Sequence, residues 1–417
     1  MDDNDRSIIG FVMIGHMMVH TYELSIPILM TIWLLEFGTS TAVLGIAVAV
    51  GYGLFGIGAL PGGLLVDRFG SRTLISACLA GMGLSFLVLS IAPNVGSITI
   101  ALAFWGIAAS VYHPAGLTLI SNGVTKRGRG FAYHGMAGNV GIAGGPLLTA
   151  LCLLVFDWRI ATAILALPAL IGAVAGLAIN FDATAGVELT SNTHERQGPS
   201  SISEFIEETQ RLFTFGFLLI FLIVALNGLY YRGVLTFLPN LLSDFLTTTI
   251  GDVRLGVFAP GSPLADEFDL AQYLYAGLLT VGIGGQYLGG RLTDMIEPDQ
   301  GLSIMLPVLA GIALLFVPAA RSGLWGLLIV SFVLGFALFA MQPLTQATIA
   351  KYSRPESRGL SFGYTYLAIF GIGALGAAIV GTVLTYTSVS TMFLVLAGFA
   401  ATGSGLAIWL LRIVESA

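Results

Sequence analysis

Twelve runs of about 20 or more mostly apolar residues take up nearly the whole chain, each long enough to cross a hydrocarbon layer of about 30 Å as a helix. They lie near 8–35, 42–66, 73–92, 97–121, 130–155, 159–180, 213–245, 270–293, 302–320, 324–351, 359–386 and 388–412. Charged residues make up 10% of the 417 and hydrophobic ones 56%, with a mean hydropathy of +0.90. A soluble domain carries about 25% charge, so this chain has too few polar groups to cover a surface in water. The expected fold is an all-α membrane protein of twelve transmembrane helices in two pseudo-symmetric six-helix bundles. The bundles span residues 1–180 and 213–417, joined by a polar linker over 181–212. Met1–Ser7 precedes an apolar run too long for a signal-peptide core and lacking a small-residue cleavage site. Cys78 and Cys152 stand in apolar runs without metal or redox spacing and read as small packing residues.

Basic residues fix the expected orientation. Arg6, Arg68, Arg72, Lys126, Arg127, Arg129, Arg196, Arg211, Arg291, Lys351, Arg354, Arg358 and Arg412 fall on one side, 13 of the 17. Arg159, Arg254 and Arg321 fall on the other, and Arg232 lies within the seventh run. The reading is a multi-pass protein of the cell membrane with both termini and the linker cytoplasmic. Ser203–Arg211 has the pattern of a short interfacial helix, and "DWR" at 157–159 that of an outer-loop cap.

The two halves repeat. "GIAASVYHPAGLTLISNGVTKRGRG" (106–130) aligns with "GFALFAMQPLTQATIAKYSRPESRG" (335–359). Gly106 meets Gly335, Pro114 Pro343, Arg129 Arg358 and Gly130 Gly359, each at an offset of 229 (335 − 106). Gly63 and Asp67 meet Gly290 and Asp294 at 227 (290 − 63), and Pro27 meets Pro239 at 212 (239 − 27). The difference of about 15 residues fits an insertion in the long seventh loop, "TTTIGDVRLGVFAPGSPLADEFD". Inverted or repeated halves of this kind accompany alternating access around a site near the bilayer midplane.

Residues 62–73, "GGLLVDRFGSRT", resemble the loop 2–3 signature of the major facilitator superfamily. Gly63, Asp67, Arg68, Gly70 and Arg72 match it; Ser71 departs from the first of its final basic pair. The second-half copy keeps Gly290 and Asp294 without the following Arg and Gly. Glycine permits a tight turn, and Asp67 can accept from a helix N-terminus or an arginine across the seam. The resemblance implies a gating role for these residues, with Arg129 and Arg358 in the repeated loop. In "GMAGNVGIAGGPLL" (135–148), Gly138, Gly141, Gly145 and Pro146 are similar to the helix 5 glycine–proline element of the superfamily's antiporters. Small residues there allow close packing and proline a kink. With "YHP" (112–114), His16…Tyr22…Pro27 and "TFLP" (236–239), the chain is similar to the fosmidomycin-resistance branch of drug exporters. That branch usually has Asn-Asp where Val19-His20 stand, so its proton-carrying acid is missing or replaced here.

The first run, "SIIGFVMIGHMMVHTYELSIPILMTIWLL", carries His16, His20 and Glu23. At 100° per residue, positions 16, 20, 23 and 27 fall within an arc of roughly 60°. Charges at mid-membrane cost about 2.5–3.5 kcal/mol each, so this stripe is expected to face a wet cavity. The proline alignment sets Arg232 opposite His20, where it would hold an anionic group. His113 lies at the depth of His16, and His134 nearer the cytoplasm. Histidine titrates near neutrality, so His16, His20, Glu23, His113 and His134 are the candidate proton carriers. Tyr22, Asn139, Asn227, Tyr230, Tyr231, Arg232, Gln286 and Gln342 are the candidate substrate contacts, each equally able to serve as a helix–helix hydrogen bond. Packed polar histidines and a metal path through His-x3-His-x2-Glu are the competing readings. No second cluster in runs 7–12 supports the latter, and no metal site is assigned.

"GIGGQYLGG" (282–290) lacks the Lys-Ser/Thr of a phosphate loop, so no nucleotide or other cofactor is expected. The sequence therefore points to a monomeric, non-enzymatic secondary transporter whose partners are a small solute, protons and the lipid bilayer, with no nucleic acid. Proton-coupled efflux of a small, anionic organic compound is the leading expectation. Uptake of an organic acid or sugar-like solute by symport, a non-transporting sensor or scaffold, and an intramembrane acid–base enzyme are the alternatives.

Overall fold

Backbone N–H and C=O groups in lipid must pair within their own segment, which makes helix the default for runs of this composition. The computed structural model describes residues 1–186, 202–250, 269–353 and 358–416, with the backbone alone at Gly63, Leu64, Asp67, Ile202, Ile250, Arg358, Gly359 and residues 414–416. Arg196, Arg254, Arg354 and most of the seventh loop lie outside the described residues. The elements are α1 (Asp3–Glu36), α2 (Thr41–Gly58), α3 (Gly62–Phe69), α4 (Ser71–Ser90), α5 (Val95–Ser110), α6 (Tyr112–Gly123), α7 (Arg127–Leu153) and α8 (Trp158–Ala178). After the linker come α9 (Ile202–Leu212), α10 (Phe215–Ile250), α11 (Leu270–Thr293), α12 (Pro298–Arg321), α13 (Leu324–Tyr352), α14 (Arg358–Tyr366), a π-helical turn (Leu367–Ile372), α15 (Leu375–Tyr386) and α16 (Val389–Ser416). Among the described residues there is no strand.

Among the described residues eleven spans are long and apolar enough to cross a membrane: α1, α2, α4, α5 with α6, α7, α8, α10, α12, α13, α14 through α15, and α16. The 24-residue α11 is long enough by length, but Gln272, Tyr273, Tyr275, Gln286, Tyr287 and Arg291 keep it more polar. Polar side chains start several helices. Asp2 caps α1 through Asp5 N–H (2.7 Å), Asn94 and Ser97 form a capping box on α5, and Asp157 caps α8.

The packing carries the repeat into three dimensions. In the first half α1 lies on α7, α2 on α5 and α4 on α8; in the second, α10 lies on α15, α11 on α13 and α12 on α16. Gly106 of α5 approaches α2 so closely that a Cβ there would meet the Gly51 carbonyl oxygen. At the aligned position, a Cβ on Gly335 of α13 would meet the Leu278 carbonyl oxygen of α11. These pairs reproduce the sequence offsets, 335 − 106 = 229 and 278 − 51 = 227. The repeated glycines are thus helix-crossing points.

Helices from the two halves meet along α2 and α15, α1 and α10, and α7 and α11. Thr41 Oγ1 donates to the Gly381 carbonyl (2.9 Å), and Ala42 N–H to Thr385 Oγ1 (2.9 Å). The π-helical turn presses on two glycines, Gly56 of α2 and Gly228 of α10, whose lack of a side chain admits its backbone. A π turn widens a helix locally and is common where a helix borders a site.

Candidate functional site

Glu23 is the centre of the site. Its Oε1 accepts from Arg232 Nη2, and its Oε2 lies 2.6 Å from His20 Nδ1. The repeat alignment set Arg232 against His20; the structure gives its guanidinium to Glu23, one turn further along the polar stripe. Arg232 is 1% exposed and does not line the cavity, so it offers no free guanidinium to a solute in this conformation. Its Cζ lies 3.7 Å from the Tyr52 ring centroid and 5.1 Å from that of Phe370, and Nε has no hydrogen-bond partner among the described residues. Tyr52 OH donates to the Glu23 carbonyl (2.7 Å), so one first-half tyrosine positions both members of the ion pair. Tyr52, the lone aromatic polar group in an Ala-, Val- and Gly-rich α2, escaped the sequence reading although its isolation in that helix was a usable signal.

Four histidines gather beside this pair. His16 stacks on His134 (centroids 3.8 Å) and packs edge-on to His113 (5.2 Å), and His20 lies 5.8 Å from His113. The meeting of His16 with His113 follows the sequence expectation. Asp5 accepts from Thr125 N–H and Oγ1 (both 2.8 Å), pinning the start of α1 to the start of α7. His16 then stands eleven residues beyond Asp5, about 16 Å along α1, and His134 seven residues beyond Arg127 at the start of α7, about 10 Å along it. The glycine face of α7 closes the remaining gap. A Cβ on Gly138 would strike the His16 ring, one on Gly141 the Met17 carbonyl, and one on Gly145 the Thr21 backbone. The expected gating element Gly138–Gly141–Gly145–Pro146 is accordingly a seam within the first half, between α1 and α7.

Donor and acceptor chemistry orders this cluster. The His134 carbonyl can only accept, so His16 Nδ1 donates to it (2.7 Å). His20 Nε2 and His16 Nε2 are 3.0 Å apart, which requires one proton between them. The contact between His20 and Glu23 requires another. Three protons therefore occupy the three contacts from Glu23 to the His134 carbonyl. An ionised carboxylate and two neutral imidazoles hold two, so filling all three contacts takes one further proton.

The chain opens on a cavity of about 610 Å³. His16, His20, Glu23, His113 and His134 form its first-half wall with Asn139. Asn227, Tyr231, Gln286 and Gln342 face them from the second half, and Gln286 Nε2 donates to Gln342 Oε1 (3.2 Å). Thr345, Gln346, Tyr366 and Phe370 were not singled out from sequence and line it too. Tyr22 and Tyr230 do not. Each sits next to a cavity residue and is turned about 100° away from it. Tyr22 OH donates to the Leu165 carbonyl (2.9 Å) and Tyr230 OH to that of Leu309 (3.1 Å), so both tie helices together. Ser121, Phe131 and Phe362, at the helix ends that carry the basic loops, place the cavity mouth there.

The other expected gating residues lie on the loops 2–3, 4–5 and 8–9 and the adjoining helix ends, with Arg358 at the start of α14. Gly70 has φ +77°, the turn a glycine permits. Arg72 donates to the Phe181 carbonyl (3.2 Å) and stacks on the Phe181 ring, a contact inside the first half. Arg68, Arg129 and Asp294 are exposed, and a Cβ on Gly290 would meet open space. The side chains of Asp67 and Arg358 fall outside the described residues. Lys351, read from sequence only as a topology signal, bridges Asp299 (2.9 Å) and Glu297 (2.8 Å), with Tyr352 OH also on Asp299 (2.7 Å).

A cavity walled by both halves, with polar groups set among apolar ones and with α2 packed on α15 across the halves, suits the passage of a small solute between two helical bundles. The chain belongs to the Major Facilitator Superfamily, whose sequence model matches residues 9–262 and 245–417. It is 22% identical to a Na(+), Li(+), K(+)/H(+) antiporter of Planococcus maritimus over 97% of this chain and 95% of that one. A probable L-galactonate transporter of Escherichia coli is 23% identical over 70% of this chain and 68% of that protein. A puromycin resistance protein of Streptomyces alboniger is 36% identical over a shorter stretch, 25% of this chain and 22% of its own length. Among solved structures, a bacterial homologue of the lysosomal transporter Spinster, inward-facing and unoccupied, superposes with a TM-score of 0.75 at 14% identity, covering 99% and 98% of the two chains. The nucleoside transporter NupG gives 0.73 at 12% identity, covering 97% of this chain and 99% of its own.

Proposed function

We propose that the protein is a proton-coupled exporter (antiporter) of a small organic compound, an anionic one foremost, working by alternating access between two six-helix bundles of twelve spans in all. The bundles are residues 1–180 and 213–417, with 181–212 as a cytoplasmic linker, in a cell-membrane protein that acts as a monomer. On this reading both termini are cytoplasmic and the cavity mouth faces the cytoplasm. The observation that carries it is the Glu23–Arg232 pair. It joins the two halves and shares its carboxylate with a histidine chain that has room for one further proton. Neutralising Glu23 removes the attraction that holds Arg232, so proton movement and the joint between the halves are linked. The helix 5 glycine–proline element and the drug-exporter resemblance favour export, as does likeness to a cation/proton antiporter and a drug-resistance protein. Symport of an organic acid or sugar-like solute is the second reading, favoured by the galactonate transporter's similarity. An anionic solute reaches Arg232 only by displacing Glu23.

The test is transport by the purified chain in proteoliposomes under an imposed proton gradient, with anionic, cationic and neutral solutes. At least one solute is expected to accumulate against its own gradient while protons run the other way. Protons moving with the solute would establish symport instead. Accumulation indifferent to the proton gradient would overturn the coupling.

A further inference from the structure

We propose that His16, His20 and His113 form a binding site for a divalent late first-row metal ion of the Zn²⁺, Co²⁺ and Ni²⁺ class. One ring nitrogen from each of the three imidazoles lies within 4.8 Å of the others. The Nε2 atoms of His16 and His20 are 3.0 Å apart, close to the edge of about 3.3 Å in a tetrahedron with Zn–N bonds of about 2.0 Å.

The nitrogens pointing away from the centre supply a second, independent observation. A metal-bound histidine characteristically donates its other N–H to a carbonyl or carboxylate, which fixes the ring and its tautomer. His16 Nδ1 meets the His134 carbonyl at 2.7 Å, and His20 Nδ1 meets Glu23 Oε2 at 2.6 Å. Both rings are thus held with Nε2 directed to the common centre. His134, stacked on His16 and lining the same cavity, has a buried Nε2 without a hydrogen-bond partner among the described residues. His134 lies outside the group of three, so a fourth ligand position is open to water or a solute group.

Three imidazoles with no carbonyl cage suit Zn²⁺, Co²⁺, Ni²⁺ or Cu²⁺ and not Mg²⁺ or Ca²⁺, which take oxygen ligands. The ion uses the lone pairs that otherwise share a proton between His16 and His20, so ion and shared proton exclude each other. The proposal concerns the residues that the transport reading treats as proton carriers, but it rests on ligand geometry alone.

The experiment is a Co²⁺ titration of the full chain, purified without a histidine tag, in detergent at about pH 8, where free imidazole is neutral. Equilibrium dialysis with Zn²⁺ runs in parallel. One ion per chain is expected, with the intense visible absorption of tetrahedral Co²⁺, displaced by Zn²⁺ and not by excess Mg²⁺. X-ray absorption of the Zn²⁺-loaded wild type should count three imidazole ligands, a readout that needs no variant to fold. His113→Gln should abolish the spectrum, and Glu23→Gln should weaken binding by about 10–100-fold through loss of the carboxylate behind His20. No saturable binding, an oxygen-only ligand shell, or unchanged binding in folded His113→Gln would overturn the site. Because no gradient is involved, failure here leaves proton-driven transport standing, and metal binding without such transport leaves this site standing.

Discussion

Arg232→Met should destabilise the protein by about 3–5 kcal/mol, measured as unfolding in detergent, because it leaves an ionised Glu23 buried without its partner. Glu23 is 1% exposed and Arg232 likewise 1%, so neither can recover its interaction from bulk water. The guanidinium also stacks on Tyr52, which shields it further. In Glu23→Gln/Arg232→Met no charge is stranded, and the carboxamide can still accept from His20. The double variant should regain most of the lost stability. The non-additivity is the informative quantity, since two residues in contact couple while distant ones add. If the single losses simply sum in the double variant, the pair is not the bond that joins the halves.

Glu23→Gln should uncouple transport. Each cycle exchanges the one further proton for one solute if the chain from Glu23 to the His134 carbonyl is the carrier. A gradient of one pH unit then supplies about 1.4 kcal/mol and supports up to about tenfold accumulation. Glutamine keeps the shape and the hydrogen-bonding atoms but removes the acid. Accumulation should fall to a ratio of about one, while exchange of labelled for unlabelled solute across the same vesicles continues. His20→Asn should act in the same direction by breaking the chain between Glu23 and His16. Undiminished gradient-driven accumulation in Glu23→Gln would remove this residue from the coupling path.

Much of this was legible in the residues. The spans follow from length and composition because lipid leaves the backbone no other partners than its own. The repeat was legible because Gly106 and Gly335 sit where helix backbones touch, and a larger side chain there would push helices apart. The polar stripe of α1 was legible because a 3.6-residue period orders side chains around one helix. Periodicity within one helix cannot say which neighbour a side chain meets. Hence Arg232 was set against His20, when the turn between Glu23 and His20 decides the pairing. Tyr22 and Tyr230 were taken as cavity residues because depth alone does not distinguish adjacent side chains about 100° apart. The stacking of His134 on His16 was not legible because the register of α1 against α7 is set by Asp5 and Thr125, a contact between segments 120 residues apart.

The central claim is that the Glu23–Arg232 bond holds the far end of the cavity shut. Spin–spin distances test it without knowledge of the solute. Labels at Ile91→Cys and Trp325→Cys, both highly exposed, report the end opposite the basic loops; labels at Gly128→Cys and Met295→Cys report the mouth. Cys152→Ser would remove the native thiol that is not buried. In Glu23→Gln the account predicts a longer component between 91 and 325 and a shorter one between 128 and 295, relative to the parent. Identical distance distributions in the two proteins at both ends would contradict it.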